Sequence, residues 1–151
     1  MDIEIRDYED KDYMEFCGMV NSLYSEDTEG QPMNISKVAA TINEFKKNPE
    51  KIRIIILEKN NAIIGYSIIV YFWSNEYGGN ILIVDELYIK EKFRNEGIGS
   101  YFIKWLGDND EVVAIQLETT PSNKRVFNYY IRLGFEVVEN ARLIKVRDKY
   151  E

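Results

Sequence analysis

Residues 85–99 read DELYIKEKFRNEGIG, and the interpretation of the whole chain starts from this stretch. A strand ends at Ile89, a short charged loop follows, and a helix begins near Arg94-x-x-Gly97-x-Gly99. Glycines let the backbone approach a ligand closely, and the free N–H groups at a helix N-terminus favour phosphate. The pattern is weak by itself, because it is neither a complete G-x-G-x-x-G nor a P-loop. Glycines that only form the tight turn before a helix would give the same sequence pattern.

The spacing of apolar residues on either side predicts the other elements. Before the stretch we expect a strand near residues 3–5, helices over about 10–25 and 35–47, hairpin strands over 52–57 and 62–73, and a strand over 81–89. After it we expect a helix over 98–106 closed by Gly107, a strand over 112–119, a helix capped by Ser122 and ended by Gly134, and a last hairpin of 135–138 with 143–146. The order βααβββαβαββ predicts an α/β (or α+β) fold, with a mixed, mostly antiparallel sheet flanked by helices.

Composition narrows the function classes. The 151 residues contain no repeat or linker, so we expect one domain over 1–151. No apolar run is long enough to span a membrane, the N-terminus is too charged for a signal peptide, and one cysteine forms no internal disulfide, which together predict a cytoplasmic protein. The absence of histidine excludes Ser-His and Cys-His nucleophiles, and we expect no metal. The net charge of −7 argues against nucleic acid and is compatible with a cationic ligand.

A second motif follows one helix and one strand later. It comprises Leu117-Glu118, Asn123, Tyr129-Tyr130 and the run Leu133-Gly134-Phe135. Together with Arg94-x-x-Gly97-x-Gly99 and the order of elements, it resembles the GNAT superfamily of acetyl-CoA-dependent N-acyltransferases. The resemblance covers nearly the whole chain, is strongest over residues 81–136 and is faint over 1–50. Val126 stands where that family often has alanine, a small change on a packing face.

The resemblance implies acetyl-CoA as cosubstrate and a set of residues that would hold it. Leu87, Tyr88 and Ile89 would pair their backbone with the pantetheine arm. The pyrophosphate would be held by Arg94, Asn95, Gly97, Ile98, Gly99 and Ser100, and Asn123 would contact the coenzyme from the next helix. Tyr130 stands at the family's usual general-acid position, and a pKa near 10 suits a tyrosine to protonating a thiolate. Its alternative role is that of a core aromatic beside Tyr129.

The general base is left open by the sequence. Asp85 and Glu86 interrupt an apolar strand, which is costly unless they face a cleft. Adjacent strand residues point to opposite faces unless a bulge changes the alternation. Polyamine acetyltransferases have a similar acidic pair, whereas ribosomal-protein N-terminal acetyltransferases have a glutamate that matches Glu118. Glu86, Asp85, Glu118 and no side-chain base at all are therefore the alternatives, and each acid could instead be a surface ion-pair partner.

The acceptor is expected to be a small cationic amine of the polyamine or aminoglycoside kind. The alternatives are a protein N-terminus or lysine, and a non-catalytic acyl-CoA-binding module. The acidic loop over residues 26–29 could attract a cation or be a solvated charge run, and Tyr71, Phe72, Trp73 and Tyr77 could pack the strand or form an aromatic wall for a cation. Cys17 is expected to be a core thiol. Families of this kind are often dimeric, so a homodimer is a further expectation.

Overall fold

In the computed structural model, residues 1–26, 30–120 and 122–147 are described. The strands are β1 (Glu4–Asp7), β2 (Ile52–Lys59), β3 (Ala62–Ser74), β4 (Gly79–Ile89) and β5 (Ala114–Leu117), and the helices are α1 (Tyr13–Glu26), α2 (Ile35–Lys47), α3 (Ile98–Asn109) and α4 (Lys124–Arg132). Short 3-10 turns at Asp10–Asp12 and Glu91–Phe93 precede α1 and follow β4. The chain divides into two compact units, Met1–Glu118 and Thr119–Glu151.

The first unit contains a five-stranded sheet in the order β1-β2-β3-β4-β5. Strands β1 to β4 pair antiparallel with their neighbours, and β5 joins β4 in parallel. A parallel pair needs a long crossover, and here α3 supplies it. The predicted fold class, a mixed and mostly antiparallel sheet flanked by helices, is therefore confirmed.

The core explains why β2 is a continuous apolar run. All four residues Ile54–Leu57 are fully buried, and strand residues alternate between faces. Ile54 and Ile56 belong to the cluster formed with α1 and α2, whereas Ile55 and Leu57 lie outside that cluster, on the other face. The helix α3 contacts β4 and buries Phe102 and Leu106. A sheet covered on both faces needs apolar residues at every position of its central strands.

Two predicted boundaries are wrong for identifiable reasons. Gly107 does not close its helix, because α3 continues to Asn109. Glycine ends a helix when it takes a left-handed conformation, and no positive φ is recorded at Gly107. The cap of α4 is Asn123 rather than Ser122: its side-chain oxygen accepts a hydrogen bond from the Val126 N–H at 3.3 Å. Asparagine and serine cap equally well, so the sequence did not distinguish them.

The second unit lacks the predicted last hairpin. Within the described part of this unit, Gly134 ends α4 with a φ of +98°, as expected, but residues 135–147 form no strand. The apolar side chains that suggested the hairpin are exposed, namely Val137, Val138, Leu143, Ile144 and Val146. Alternating apolar residues favour a strand, but an isolated hairpin without a buried face is marginally stable. The pattern alone therefore does not produce these two strands.

A buried ion network joins β1, β2 and the turn before α1. Arg6 makes a bidentate contact with Asp12, with both N–O distances 2.8 Å, and its Nε donates to Glu58 at 3.0 Å. Asp12 is only 2% exposed and also accepts a hydrogen bond from the Glu9 N–H. Burial alone would raise the pKa of Asp12, but its hydrogen bonds to Arg6 and Glu9 hold it below the ordinary value.

The substitution Arg6→Met is expected to lower the free energy of unfolding by about 3–5 kcal/mol, because it leaves the buried Asp12 without its counter-ion. Urea unfolding at pH 7 measures this change. Lys46→Met is the control: Lys46 pairs with Asp10, and both side chains are more than half exposed, so that pair contributes about 0–1 kcal/mol. Equal losses in the two variants would contradict the assignment.

The lowered pKa of Asp12 also predicts a pH dependence of stability. The contribution of Asp12 to the free energy of unfolding is complete at neutral pH, and it is lost as the pH falls below about 4, the pKa of an aspartate in the unfolded chain.

Candidate active site

A β-bulge in β4 separates the two candidate bases. Ile68 of β3 pairs with Glu86, and its neighbour Ile69 pairs with Val84, so Asp85 is the extra residue. Asp85 is exposed, whereas the Glu86 side chain is directed at α1, where Tyr24 contacts it. A bulge changes the alternation of the strand locally. The third candidate, Glu118, is exposed just after β5 ends.

Glu86 is held by two tyrosine hydroxyls. The Tyr24 hydroxyl of α1 donates to Oε2, and the Tyr66 hydroxyl of β3 donates to Oε1 at 2.7 Å. Ser67 donates to the Glu86 backbone carbonyl, also at 2.7 Å. Burial raises the pKa of Glu86, the two tyrosine hydrogen bonds oppose this rise, and the neighbouring Asp85 adds to it. Glu86 thus has the raised proton affinity that a general base needs.

The two tyrosines were missed by the sequence interpretation. Tyr24 lies on the apolar face of α1, and Tyr66 is fully buried within the apolar run of β3. The sequence analysis therefore gave neither residue a role in the site. The available signal was the hydroxyl itself, because a buried tyrosine usually finds a polar partner, and Glu86 interrupts the neighbouring strand.

An open pocket lies between α1 and the end of β4. Tyr88, one of its lining residues, follows Glu86 by two positions in β4 and therefore shares its face of the strand. The volume of the pocket is about 460 Å³. The residues that line it are Met14, Glu15, Gly18, Met19 and Ser22 of α1, together with Tyr88 and Lys90. Lys90 Nζ lies 2.9 Å from Glu15 Oε2, so an ion pair connects the two sides of the pocket. A ligand in this pocket would be flanked by α1 and the end of β4.

The edge of β4 opens at the bulge. The parallel ladder with β5 ends at Val84 and Leu117, yet β4 continues to Ile89 with β3 alone as its neighbour among the described strands. The segment Leu87–Ile89, predicted to bind pantetheine, forms this one-sided part of the strand. Gly65 of β3 lies opposite, where a Cβ would clash with the Tyr88 carbonyl. The open edge gives an extended ligand backbone groups to pair with.

The predicted phosphate turn has an unusual backbone. Asn95 and Gly97 have φ values of +64° and +77°, and Gly97 is the N-cap of α3. Ile98 is buried, while Gly99 and Ser100 lie in the first helical turn, where backbone N–H groups lack helical partners. The structure thus brings the predicted residues of this motif together at one helix N-terminus. That arrangement fits an anion such as a pyrophosphate.

Arg94 is held in place by three contacts. Its Nε donates to the Ile89 carbonyl at 2.7 Å, and its guanidinium lies 5.3 Å from the centre of the Tyr88 ring. Its Nη2 lies 3.0 and 3.1 Å from the two carboxylate oxygens of Glu26, at the end of α1. Glu26 is a second residue that the sequence did not assign to this site. The rest of the acidic loop, residues 27–29, lies outside the described residues.

The second unit contains Asn123 and Tyr130. The Asn123 side chain caps its own helix. The Tyr130 ring packs edge-to-face against Tyr129 and Phe135, with ring centres 5.2 and 5.6 Å away. Burial raises the pKa of Tyr130, and Tyr129 adds to the rise, so its hydroxyl stays protonated at neutral pH. Their proposed roles toward a ligand remain predictions.

The aromatic residues Tyr71, Phe72, Trp73 and Tyr77, which were expected to pack the strand or to form an aromatic wall, lie toward the turn between β3 and β4. Trp73 pairs with Asn80, about 20 Å along β4 from Glu86 at the usual rise per residue. The expectation of strand packing is wrong for Phe72, Trp73 and Tyr77, which are exposed because they lie at the end of the hairpin beyond the core. Cys17 is partly buried against the cluster of α1 and α2, as expected of a core thiol.

None of the described helices is both long and apolar enough to cross a membrane.

The comparisons with known proteins agree with this geometry. A family model described as an acetyltransferase (GNAT) domain matches residues 50–137. None of the curated proteins matches the sequence. The structure is similar to that of a possible acetyltransferase from Clostridium difficile 630, with a TM-score of 0.82 and 21% identity over 98% of this chain and 100% of that one.

Two further solved structures have the same fold. AAC(6')-Iy, in complex with the bisubstrate analog CoA-S-monomethyl-acetylneamine, has a TM-score of 0.76 and 18% identity, covering 97% of this chain and 99% of its own. A ribosomal-protein-alanine N-acetyltransferase from Brucella melitensis biovar Abortus 2308 has a TM-score of 0.76 and 14% identity, covering 97% and 100%. Identities this low show the fold alone, whereas the family model covers more than half of the chain. The chain therefore belongs to the GNAT family of acetyltransferases.

Proposed function

We propose that this protein transfers the acetyl group of acetyl-CoA directly to a primary amine. The observation that carries the proposal is the half-buried carboxylate of Glu86 at the point where the edge of β4 opens. GNAT acetyltransferases use acetyl-CoA as cosubstrate, and the residues here fit it. The one-sided strand Leu87–Ile89 suits the pantetheine arm, and the turn from Arg94 to Ser100 suits the pyrophosphate.

The chemistry needs two proton transfers. The neutral amine attacks the thioester carbonyl, the C–N bond forms, and the C–S bond breaks. Glu86 takes the proton that the amine nitrogen loses, directly or through a water, and Tyr130 returns a proton to the thiolate sulfur. The raised pKa of each residue favours its role, because Glu86 becomes a stronger base and Tyr130 remains protonated. No acyl-enzyme is formed.

The contact between Arg94 and Glu26 gives a test of the coenzyme site. A pyrophosphate bound by Arg94 competes with the Glu26 carboxylate, which already occupies the free end of the guanidinium. The substitution Glu26→Gln is therefore expected to tighten acetyl-CoA binding by up to about fivefold, the contribution of an exposed ion pair. Isothermal titration measures the affinity. The gain should vanish when Arg94→Gln is already present, and a gain that persists in that background would contradict a pyrophosphate at Arg94.

The acceptor is proposed to be a small cationic amine. The net charge of −7 and the exposed carboxylate of Asp85 beside Glu86 support this choice, because they attract a cation. The relatives leave the class open, since one is a complex with an acetylneamine conjugate and another acts on ribosomal-protein alanine. A protein N-terminus or lysine is the alternative acceptor, and a non-catalytic acyl-CoA-binding module is the alternative function.

The decisive assay follows CoA release with polyamines, aminoglycosides and peptides in parallel. We expect turnover with the cationic small amines and a KM that rises with NaCl, more steeply for multivalent amines than for monoamines, because exposed charges are screened over about 8–10 Å. The KM of acetyl-CoA, an anion, should not follow that trend. A salt-insensitive KM for a neutral acceptor would overturn the cationic class. Coenzyme binding without CoA release for any amine would support the binding module.

A further inference from the structure

Two carboxylates lie in or beside α1 and its preceding turn, the buried Asp12 and the half-buried Glu86, and they are held in opposite ways. Asp12 is held by the cation Arg6, and its pKa is lowered. Glu86 is held by the hydroxyls of Tyr24 and Tyr66, and its pKa is raised. No Lys or Arg in the described part of the chain forms an ion pair with Glu86. A carboxylate with a purely structural role is usually paired with a cation when buried.

Neutral donors have a different effect from a cation. A hydroxyl hydrogen bond fixes the direction of a carboxylate oxygen and favours its charged form moderately, whereas a guanidinium favours that form strongly and makes it a weak base. Two hydroxyls can therefore keep Glu86 ionised and oriented without removing its basicity. A carboxylate that is held by two neutral hydroxyl donors is suited to accept a proton in each catalytic cycle.

The two donors come from different elements. Tyr66 is fully buried on β3 and its ring packs edge-to-face on Phe16, at 5.1 Å between ring centres, so its hydroxyl has a fixed position. Tyr24 lies in the last turns of α1, the helix that also lines the pocket at the end of β4. Each donor reaches a different carboxylate oxygen, so the plane of the carboxylate is defined by both elements together.

We propose that Tyr24 and Tyr66 are positioning residues that orient Glu86 and keep it ionised for proton transfer from the amine. The inference rests on the proposed function, in which Glu86 is the base. The other groups around Glu86 are Asp85 on its own strand, Ser67 on its backbone carbonyl, and Tyr88, whose ring lies 6.1 Å from that of Tyr66. None of these donates to the Glu86 carboxylate, and the tyrosine pair alone fills that role in the described structure.

Two measurements on the full chain test the proposal. The first follows the Glu86 carboxyl by ¹³C NMR titration in the wild type, Tyr24→Phe and Tyr66→Phe, and does not depend on activity. The second is the pH profile of kcat/KM with the best amine. Each phenylalanine retains the ring and removes one donor, so the Glu86 titration and the acid limb of the profile should both move to higher pH. At pH values below that limb, kcat/KM should fall by about 10- to 100-fold relative to the wild type, because a hydrogen bond to a charged group contributes about 1.5–3 kcal/mol.

Tyr8→Phe is the matched control. Tyr8 lies in the same buried cluster and packs on the same Phe16, but its hydroxyl does not contact Glu86. Its substitution should move neither curve. An unchanged Glu86 titration in Tyr24→Phe and Tyr66→Phe overturns the positioning role. A titration that moves without the rate profile also overturns it, because the tyrosines would then hold a carboxylate that is not the base. Absence of turnover in the wild type with every amine is a separate result, which would count against the proposed function.

Discussion

The substitution Glu86→Gln is expected to lower kcat by about 10²- to 10⁴-fold, the usual contribution of general acid–base catalysis. Glutamine has the same shape, and its amide can still bond to the hydroxyls of Tyr24 and Tyr66, so the fold should be retained. Binding of acetyl-CoA should also be retained, because the turn that begins at Arg94 is untouched. Steady-state kinetics with the best amine and titration with acetyl-CoA measure both quantities.

The pH profile gives the same prediction a second test. Burial raises the pKa of Glu86, so the wild-type rate should fall with decreasing pH at a higher pH than an ordinary glutamate would give. The Glu86→Gln variant should lack this limb. Asp85→Asn removes a charge from the exposed neighbouring position and should cost much less. A larger loss in Asp85→Asn than in Glu86→Gln would transfer the role of base to Asp85.

The substitution Tyr130→Phe is expected to lower kcat by about 10²-fold with little change in stability. The phenyl ring keeps the edge-to-face contacts with Tyr129 and Phe135, and the change removes only the hydroxyl that would protonate the thiolate. Because burial and Tyr129 raise the pKa of Tyr130, the wild type should keep its acid protonated across neutral pH. Rapid-mixing experiments that isolate the chemical step measure the effect.

The neighbouring tyrosine provides the control for this substitution. Tyr129→Phe removes a hydroxyl from the same helix and the same aromatic contact. It should leave kcat within about threefold of the wild type, because ordinary substitutions away from the reacting atoms have small effects. If the two variants behave alike when chemistry limits the rate, Tyr130 is a packing residue and the general acid lies elsewhere.

The bulge at Asp85 connects the fold with the proposed chemistry. It shifts the strand by one residue, so Glu86 faces α1 while Asp85 is exposed, and it coincides with the end of the β4–β5 ladder at Val84. The same local irregularity therefore turns a carboxylate toward α1 and leaves the following backbone edge open. Bulges of this kind are common beside active sites, where they redirect a side chain.

Local sequence signals determined most of the fold. The helix over about 35–47 was predicted from an apolar face that recurs at helical spacing, and α2 has these bounds. The structure adds Asn34 as its N-cap. The buried runs of β2, β3 and β4 and the Gly97 turn were likewise readable from composition and periodicity. The last hairpin was not, since strands at 135–138 and 143–146 need a partner and a buried face, which no local pattern supplies.

The candidate site was determined only in part. The sequence by itself named the acids at 85 and 86, the turn at Arg94 and Gly97, and Tyr130, because each belongs to a short motif. The different environments of Glu86 and Asp85, the tyrosine donors Tyr24 and Tyr66, and the contact of Glu26 with Arg94 required the tertiary structure. These contacts join residues 20 to 68 positions apart, and they depend on a one-residue shift in a strand. Periodicity and motifs describe neighbours along the chain, whereas burial and pairing across the sheet decide which acid is desolvated and what holds it.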